Sequence, residues 1–469
     1  MTSMEPSSTT LGTSTGTANA ALRLGIDGFD FLDLHRPERL ADLHRAFLAE
    51  LEKSDAALAA RWRGHCDGSA KKTDVEESTL LIEVARHVAA FVAKLFRIEK
   101  GTAARRAWLG QRKKVYEARD RFVKKKVRGV QLASGRTAAS VRADAEALLA
   151  ALPGMPDVDR TDEERWAGRV LLLLDRPATE RACAARTETV EQALEVLALD
   201  FKLRREANDP ALKSWRMLHE PRDMDFEHGL VHTVRPIPGL PEAIEGPAEH
   251  FRRRDGFKLT DNRGTIVDAL AHVDRCVFCH DRQKDSCSRG LVDKKTNAVA
   301  KNPLGIDLAG CPLDERISEM HQLFAEGDPL AALAMVMVDN AMCPGTGHRI
   351  CNDCMKACIY QKQEPVDIPR VETNILTDVL DLDFGTEVYL FLTRWNPLRV
   401  NRPFALPYNG INVLVVGMGP AGYTLAHYLC QEGFGVVGVD GLKIEPLPRG
   451  WTGFRDPSGK EVPPVPVES

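Results

Sequence analysis

The chain has no apolar run long enough to serve as a membrane span. Near its cysteine-rich region the longest uninterrupted stretch, Ala331 to Val338, falls far short of the ~20 residues a span requires. It also has little net charge. A formal charge of −4 over 469 residues excludes a general affinity for nucleic acid or membrane surfaces. Residues 1–20 lack the basic and apolar segments of a signal peptide; Ser, Thr and Gly dominate, and a disordered tail is expected there. These absences point to the cytoplasm, where reducing conditions keep thiols available to metals.

What is present is an ordinary globular composition, 43% hydrophobic and 28% charged, in a chain long enough for several domains. The pattern predicts a multidomain, mainly α protein. Helices are expected over 37–62, 99–128, 138–152, 161–176 and 178–202, giving a helical bundle across 21–213 with no chemistry of its own. Thr73-x-x-Glu76 is a capping box. Behind it Leu81, Val84, Val88, Val92 and Leu95 recur at helical spacing and predict one buried stripe. Arginines and lysines crowd residues 105–128, opposed only by Glu117 and Asp120. They read as a solvated helix face, with docking of an acidic partner or nucleic acid as the sharper alternative. Prolines punctuate 214–262, which is expected to be extended chain wrapped over a neighbour. A short helix at 264–273 then leads to Cys276.

Eight of the eleven cysteines lie between Cys276 and Cys358. They form Cys276-x2-Cys279-x7-Cys287, Cys311-Pro312, Cys343-Pro344 and Cys351-x2-Cys354-x3-Cys358. Cys66, Cys183 and Cys430 stand apart and read as core or surface thiols. Two C-x2-C knuckles, Cys276/Cys279 and Cys351/Cys354, fit a zinc ribbon but leave four cysteines unexplained. Iron–sulfur sites favour C-x2-C, a distant closing cysteine, and proline after a ligand. The second description fits better. His280, His321 and His348 read as hydrogen-bonding residues, not ligands.

Residues 411–416 form an apolar, β-branched run leading into Gly417-Met-Gly419-Pro420-Ala421-Gly422. A strand, a glycine-rich turn, a helix over about 421–432 and a second strand at 435–439 ending in Asp440 make a dinucleotide-binding unit. The glycines permit the sharp turn, close backbone approach to a pyrophosphate, and tight helix–strand packing. Asp440 stands where an acid accepts a ribose hydroxyl. Nothing resembling this turn occurs elsewhere, and only Pro- and Gly-rich chain follows.

The ordered set C-x2-C, Cys287, Gly310-Cys-Pro-Leu313, Gly327-Asp328, Cys343-Pro, C-x3-C, Pro365-Val-Asp-Ile368 and the glycine turn resembles a known module. It is the N-terminal two-cluster domain and the start of the FAD domain in the glutamate synthase small subunit and dihydropyrimidine dehydrogenase. The resemblance covers roughly 264–445. It implies two [4Fe–4S] clusters: one on Cys276, Cys279, Cys287 and Cys358, the other on Cys311, Cys343, Cys354 and Glu372. Two features depart from it. The gap from Cys279 to Cys287 is long, and Cys351 is an extra thiol competing with Cys354. By residue type alone Glu372 reads as an exposed helix-start carboxylate.

The resemblance further implies FAD at the glycine turn and NAD(P)H on a second fold of the same kind. The expected organisation is therefore a tail at 1–20, a helical region at 21–213, a Pro-rich connection at 214–262, a helical two-[4Fe–4S] domain at 263–400, and an incomplete Rossmann-like βαβ unit at 408–469. The expected function is an iron–sulfur flavoprotein oxidoreductase passing electrons between NAD(P)H-reduced FAD and two clusters. Such a chain would be an N-terminal fragment, working with a redox partner or with missing C-terminal domains and holding FAD weakly by itself. A zinc-stabilised adaptor with a vestigial dinucleotide fold is the alternative. No catalytic acid, base or nucleophile is assigned.

Overall fold

The computed structural model describes residues 22–152, 161–176, 190–219, 221, 223–226, 233–246, 264–282, 285–293, 295–346, 350–441 and 447–467. The expected tail, Cys183, His348 and Lys284 lie outside these, as do the first twelve residues of the helix expected at 178–202. The described chain is mainly helical. Its N-terminal part comprises α1 (Pro37–Ser54), α2 (Ala56–Cys66), α3 (Asp74–Phe96), α4 (Glu99–Arg112), α5 (Lys114–Ala118, continuing in wider π-type turns over Arg119–Val127), α6 (Ala138–Ala151), α7 (Asp162–Leu174) and α8 (Val190–Glu206).

Local chemistry sets the boundaries. Thr73 and Glu76 form the reciprocal cap at the start of α3, supplying partners to amides the helix cannot satisfy. One continuous helix over 37–62 does not form. Asp55 ends α1 and caps α2, its carboxylate accepting from the Leu58 N–H at 2.8 Å. The single helix expected over 99–128 also divides, at Lys113, before it widens.

The cysteine-bearing part contains α9 (Ile266–Arg275), α10 (Ser286–Arg289), α11 (Ile317–Ala325), α12 (Pro329–Asp339), α13 (Cys343–Thr346), α14 (Asp353–Ala357), α15 (Ile368–Leu380) and α16 (Gly385–Arg394). Helix α12 is buried from Pro329 through Met337 because it packs against α3, α11 and α15 at once. One hydrophobic core therefore runs from Leu22 to Leu398. Trp395 is fully buried in it, stacked on Phe91 and Phe391 with ring centroids 5.5 and 5.0 Å away. Those two rings come from α3 and α16, so the indole fastens the first helices to the last.

Ion pairs reinforce the same seam. Arg105 bonds the buried carboxylate of Asp378, Arg106 reaches Asp328 at 2.6 Å, and Arg119 reaches Asp274 at 2.6 Å.

Strand β1 (Asn412–Val416) pairs in parallel with β2 (Gly435–Val439), and α17 (Pro420–Gln431) connects them. The β-branched run and the glycine turn account for this unit. Its strands carry exposed Leu414, Val416, Val437 and Val439. Among the described residues no helix is long and apolar enough to cross a membrane.

Candidate functional site

The cysteines arrive from separated segments and gather in two groups. The first forms where α9 ends. Cys276 is its C-cap, donating its N–H to the carbonyls of His272 and Val273. Phe278 follows with φ of 48°, folding the knuckle so that Cys279 turns back. Cys287 sits on α10, and Cys358 follows α14. The thiols of Cys276, Cys279 and Cys287 each interact with Cys358, and Cys287 hydrogen-bonds it directly. Burial pushes Cys276 up to about 12. Cys287 is raised well above the ordinary thiol value by its bond to Cys358 and by burial, whereas that bond lowers Cys358 to about 6.

Backbone amides point at these sulfurs. Phe278 bonds Cys276, Ser286 bonds Cys279, and Tyr360 and Val366 bond Cys358. Such bonds favour the thiolate over the thiol.

The second group contains Cys311, Cys343 and Cys354. Cys354 interacts with Cys311, and both feel Cys351. Cys354 is buried and Cys351 exposed, which puts Cys351 at the rim. Glu372, on α15, is buried at 5% exposure rather than facing solvent. Its Oε1 accepts from Asn340 Nδ2 at 2.5 Å, and it acts on both Cys343 and Cys354. Burial pushes its carboxyl up to about 7.

A second buried carboxylate, Glu315, was not signalled by the sequence. It lies four residues after Cys311, gives its backbone N–H to that sulfur, and acts on Cys343 and Cys354. Burial and neighbouring Glu372 raise its pKa well above the carboxylate range. Only its spacing from Cys311 could have pointed to it.

The two groups adjoin. The N–H of Cys311 donates to the Cys287 carbonyl at 2.8 Å. Around this bond two glycines cross: a Cβ on Gly310 would lie 2.4 Å from Gly290 N, and one on Gly290 would lie 2.7 Å from Ala309 O. Both glycines have φ near +90°, a region closed to most side chains. His280 bonds Ser318 and Gln322 at 2.7 and 3.0 Å, and His321 is wholly buried in α11.

The glycine turn lies on the other side of the second group. A Cβ at Gly345, in α13, would come within 2.6 Å of the Tyr423 hydroxyl on α17. In the turn, Gly417 has φ of 91°, and a Cβ on Gly422 would lie 1.7 Å from the Gly417 carbonyl oxygen. Nothing stands within 4 Å of a Cβ at Gly419, where Pro420 and Ala421 open α17. Asp440 reaches back over the turn, its Oδ2 accepting from the Met418 N–H at 2.5 Å. The turn and the end of β2 thus meet at one point.

The comparisons with known proteins identify other relatives than the cysteine order implied. Residues 24–97 match the RP005 N-terminal alpha-helical domain. The chain is 56% identical over 106 residues to "Uncharacterized protein RP006" of Rickettsia prowazekii (strain Madrid E), a match spanning 23% of this chain and 15% of that protein. It is 33% identical over 79 residues to "Uncharacterized protein RP005" of the same organism, covering 16% of this chain and 27% of that one. The chain thus spans well under a third of either relative. No solved structure matches.

The resemblance to the glutamate synthase small subunit and dihydropyrimidine dehydrogenase is therefore withdrawn. The matched family is a different one, and no relative found carries an iron–sulfur or flavin description. Among the described residues, no group of three or more His, Cys, Asp or Glu side chains is arranged to hold a single metal ion. A cysteine order built from short, individually common motifs was not enough to identify a family.

Proposed function

We propose that the chain is an electron-transfer protein holding two [4Fe–4S] clusters beside a dinucleotide site. The observation that carries this reading is the convergence of remote, mostly buried thiols into two adjoining groups with backbone amides aimed at them. Cys276, Cys279, Cys287 and Cys358 would hold one cluster. Cys311, Cys343 and Cys354 would hold the other, with Glu372 as a fourth ligand. A [4Fe–4S] cluster supplies one-electron chemistry at a potential set by its ligands and nearby hydrogen bonds.

The donor set fits. A hydrogen-bonded thiol pair, Cys287 and Cys358, with Cys276 and Cys279 beside it, and two buried carboxyls driven towards their neutral forms by burial, are groups that a cationic iron core would relieve. The zinc reading is less well supported. A zinc ribbon would draw on Cys276, Cys279, Cys351 and Cys354, but the first two interact with Cys358 and the last two with Cys311. A cluster instead takes each thiolate on a different iron.

The chain's own residues do three things here. Amides of Phe278, Ser286, Tyr360 and Val366 stabilise negative sulfur in the first group. The Cys311–Cys287 backbone bond keeps the two groups adjacent. The turn from Gly417 to Gly422 presents amides and a helix N-terminus towards a pyrophosphate, with Asp440 able to accept a ribose hydroxyl. The turn supports a dinucleotide as a class. FAD, with NAD(P)H as reductant, fits that class, although the resemblance that singled it out is gone.

The basic stretch 105–128 is not put forward as a docking site for an acidic partner. Arg105, Arg106, Arg112, Arg119, Arg121, Lys124 and Lys126 all pair with carboxylates of this chain. The reading places the protein in a reducing compartment such as the cytoplasm. The test is electron paramagnetic resonance of the dithionite-reduced chain. Two neighbouring clusters give mutually broadened, interacting signals. A single isolated signal would restrict the protein to one cluster, and none at all would remove the proposal.

A further inference from the structure

A cavity of about 400 Å³ lies where the start of α3 meets α10 and α11. It lies within the size range of small-ligand sites and is many times the ~30 Å³ of one water. Its polar floor is acceptor-rich. Glu319, 1% exposed, uses Oε1 to accept from Ser78 at 2.6 Å, while its Oε2 has no partner among the described residues. Ser286 Oγ, in a residue 3% exposed, and Asp285 Oδ1 are likewise buried without partners.

The nearby cations are already engaged. Arg289 pairs with Asp74 at 2.6 Å, and Arg316 pairs with Glu77. Each carboxylate keeps one donor, Ser78 on Glu319 and Ser288 on Asp285, but one oxygen of each is left without a partner among the described residues, and a buried oxygen without a donor is costly. Leu291, Val292 and Ile359 add apolar surface to a wall that His280, Ser288 and Asn297 also line.

From this we infer a binding site for a small organic cation with a flat, multiply donating head, an amidinium or guanidinium, on a short apolar body. The head would donate to Glu319 Oε2 and Ser286 Oγ, and the body would lie against Leu291, Val292 and Ile359. An inorganic cation fits less well: no described group of three acidic, His or Cys side chains is placed to hold one metal ion. The assignment rests on the cavity alone and does not depend on the clusters.

The test is calorimetric titration of the full chain with benzamidine, its neutral isostere benzamide, and benzoate. Benzamidine is expected to bind at least about tenfold more tightly than benzamide, the scale of a charge-assisted hydrogen bond. Glu319→Gln should reduce benzamidine to the level of benzamide. Val292→Trp, at an exposed position on the opening, should block it without disturbing the core, and far-ultraviolet circular dichroism would verify that both variants fold. The inference is overturned if wild-type protein does not bind benzamidine at millimolar concentration. It is equally overturned if benzoate binds better, if calcium displaces benzamidine, or if both folded variants bind as wild type does.

Discussion

Cys311 gives its backbone N–H to the carbonyl oxygen of Cys287 at 2.8 Å. Through that hydrogen bond the backbone carrying one group is held against the backbone carrying the other. Any metal chemistry in the first group is therefore within close range of the second, and the glycine turn lies beyond it.

The two groups should lose metal separately. Cys276→Ser and Cys343→Ser are each expected to lower iron from about eight to about four atoms per chain, and the double variant should hold none. Iron assay after anaerobic gel filtration measures this. Complete loss in either single variant would mean that the groups do not load independently.

Glu372 and Glu315 share the second group but differ in their expected roles. Glu372→Gln should lose that group's iron, because an amide is a poor substitute for a carboxylate ligand. Glu315→Gln should keep the iron and shift its reduction potential, since an ionisable oxygen beside the cluster is replaced by a neutral amide. Iron content together with a potentiometric titration separates the two. The reverse outcome would make Glu315 the ligand.

Gly310→Ala should be severely disruptive. Its Cβ would meet Gly290 N at 2.4 Å and Ser288 O at 2.6 Å, and its φ of 85° is itself unfavourable for alanine. The expected result is loss of iron from both groups together, read by absorbance near 400 nm. Retention of either group would show that the crossing can yield without cost to the thiols.

The glycine turn offers a clean contrast. Gly422→Ala collides with the Gly417 carbonyl and should destabilise the βαβ unit, lowering its protection from hydrogen exchange. Gly419→Ala meets nothing within 4 Å, so the fold should be unchanged while dinucleotide binding weakens, because its methyl would stand where a phosphate approaches. Equal binding by wild type and Gly419→Ala would argue against a nucleotide there.

Two histidines, His321 in the core and the half-buried His44, should make the fold acid-sensitive. Burial lowers His44 to about 4 and His321 to about 3. Both are neutral when folded, but in the unfolded chain they take up a proton below about 6.5. The unfolded state thus binds more protons between the folded and unfolded values, and stability falls as pH drops through that window. Between pH 7 and pH 5 the loss should be about 2 kcal/mol for each histidine. His44→Leu and His321→Leu should each flatten the slope of urea stability against pH by that amount. An unchanged slope would mean that these rings are protonated in the folded protein.

Much of the helical framework was legible because its signals are local. Thr73 and Glu76 announce a helix start within four residues, and the Leu81–Leu95 stripe records the buried face of α3 in its spacing. What sequence could not carry was pairing at a distance. Ser78 meets Glu319 across 241 residues, and Arg105 meets Asp378 across 273, so the basic stretch reads as a solvated face until its carboxylates appear from other helices. Asp55 was misread because one capping side chain outweighs a helical pattern continuing on both sides. Glu315 was missed because a lone carboxylate near a cysteine has no distinctive period.

Metal and sulfide analysis of the full chain purified without oxygen bears most directly on the central claim. The account predicts brown protein with broad absorbance near 400 nm and about eight iron and eight acid-labile sulfide atoms per chain. Colourless protein carrying stoichiometric zinc and no sulfide would contradict it.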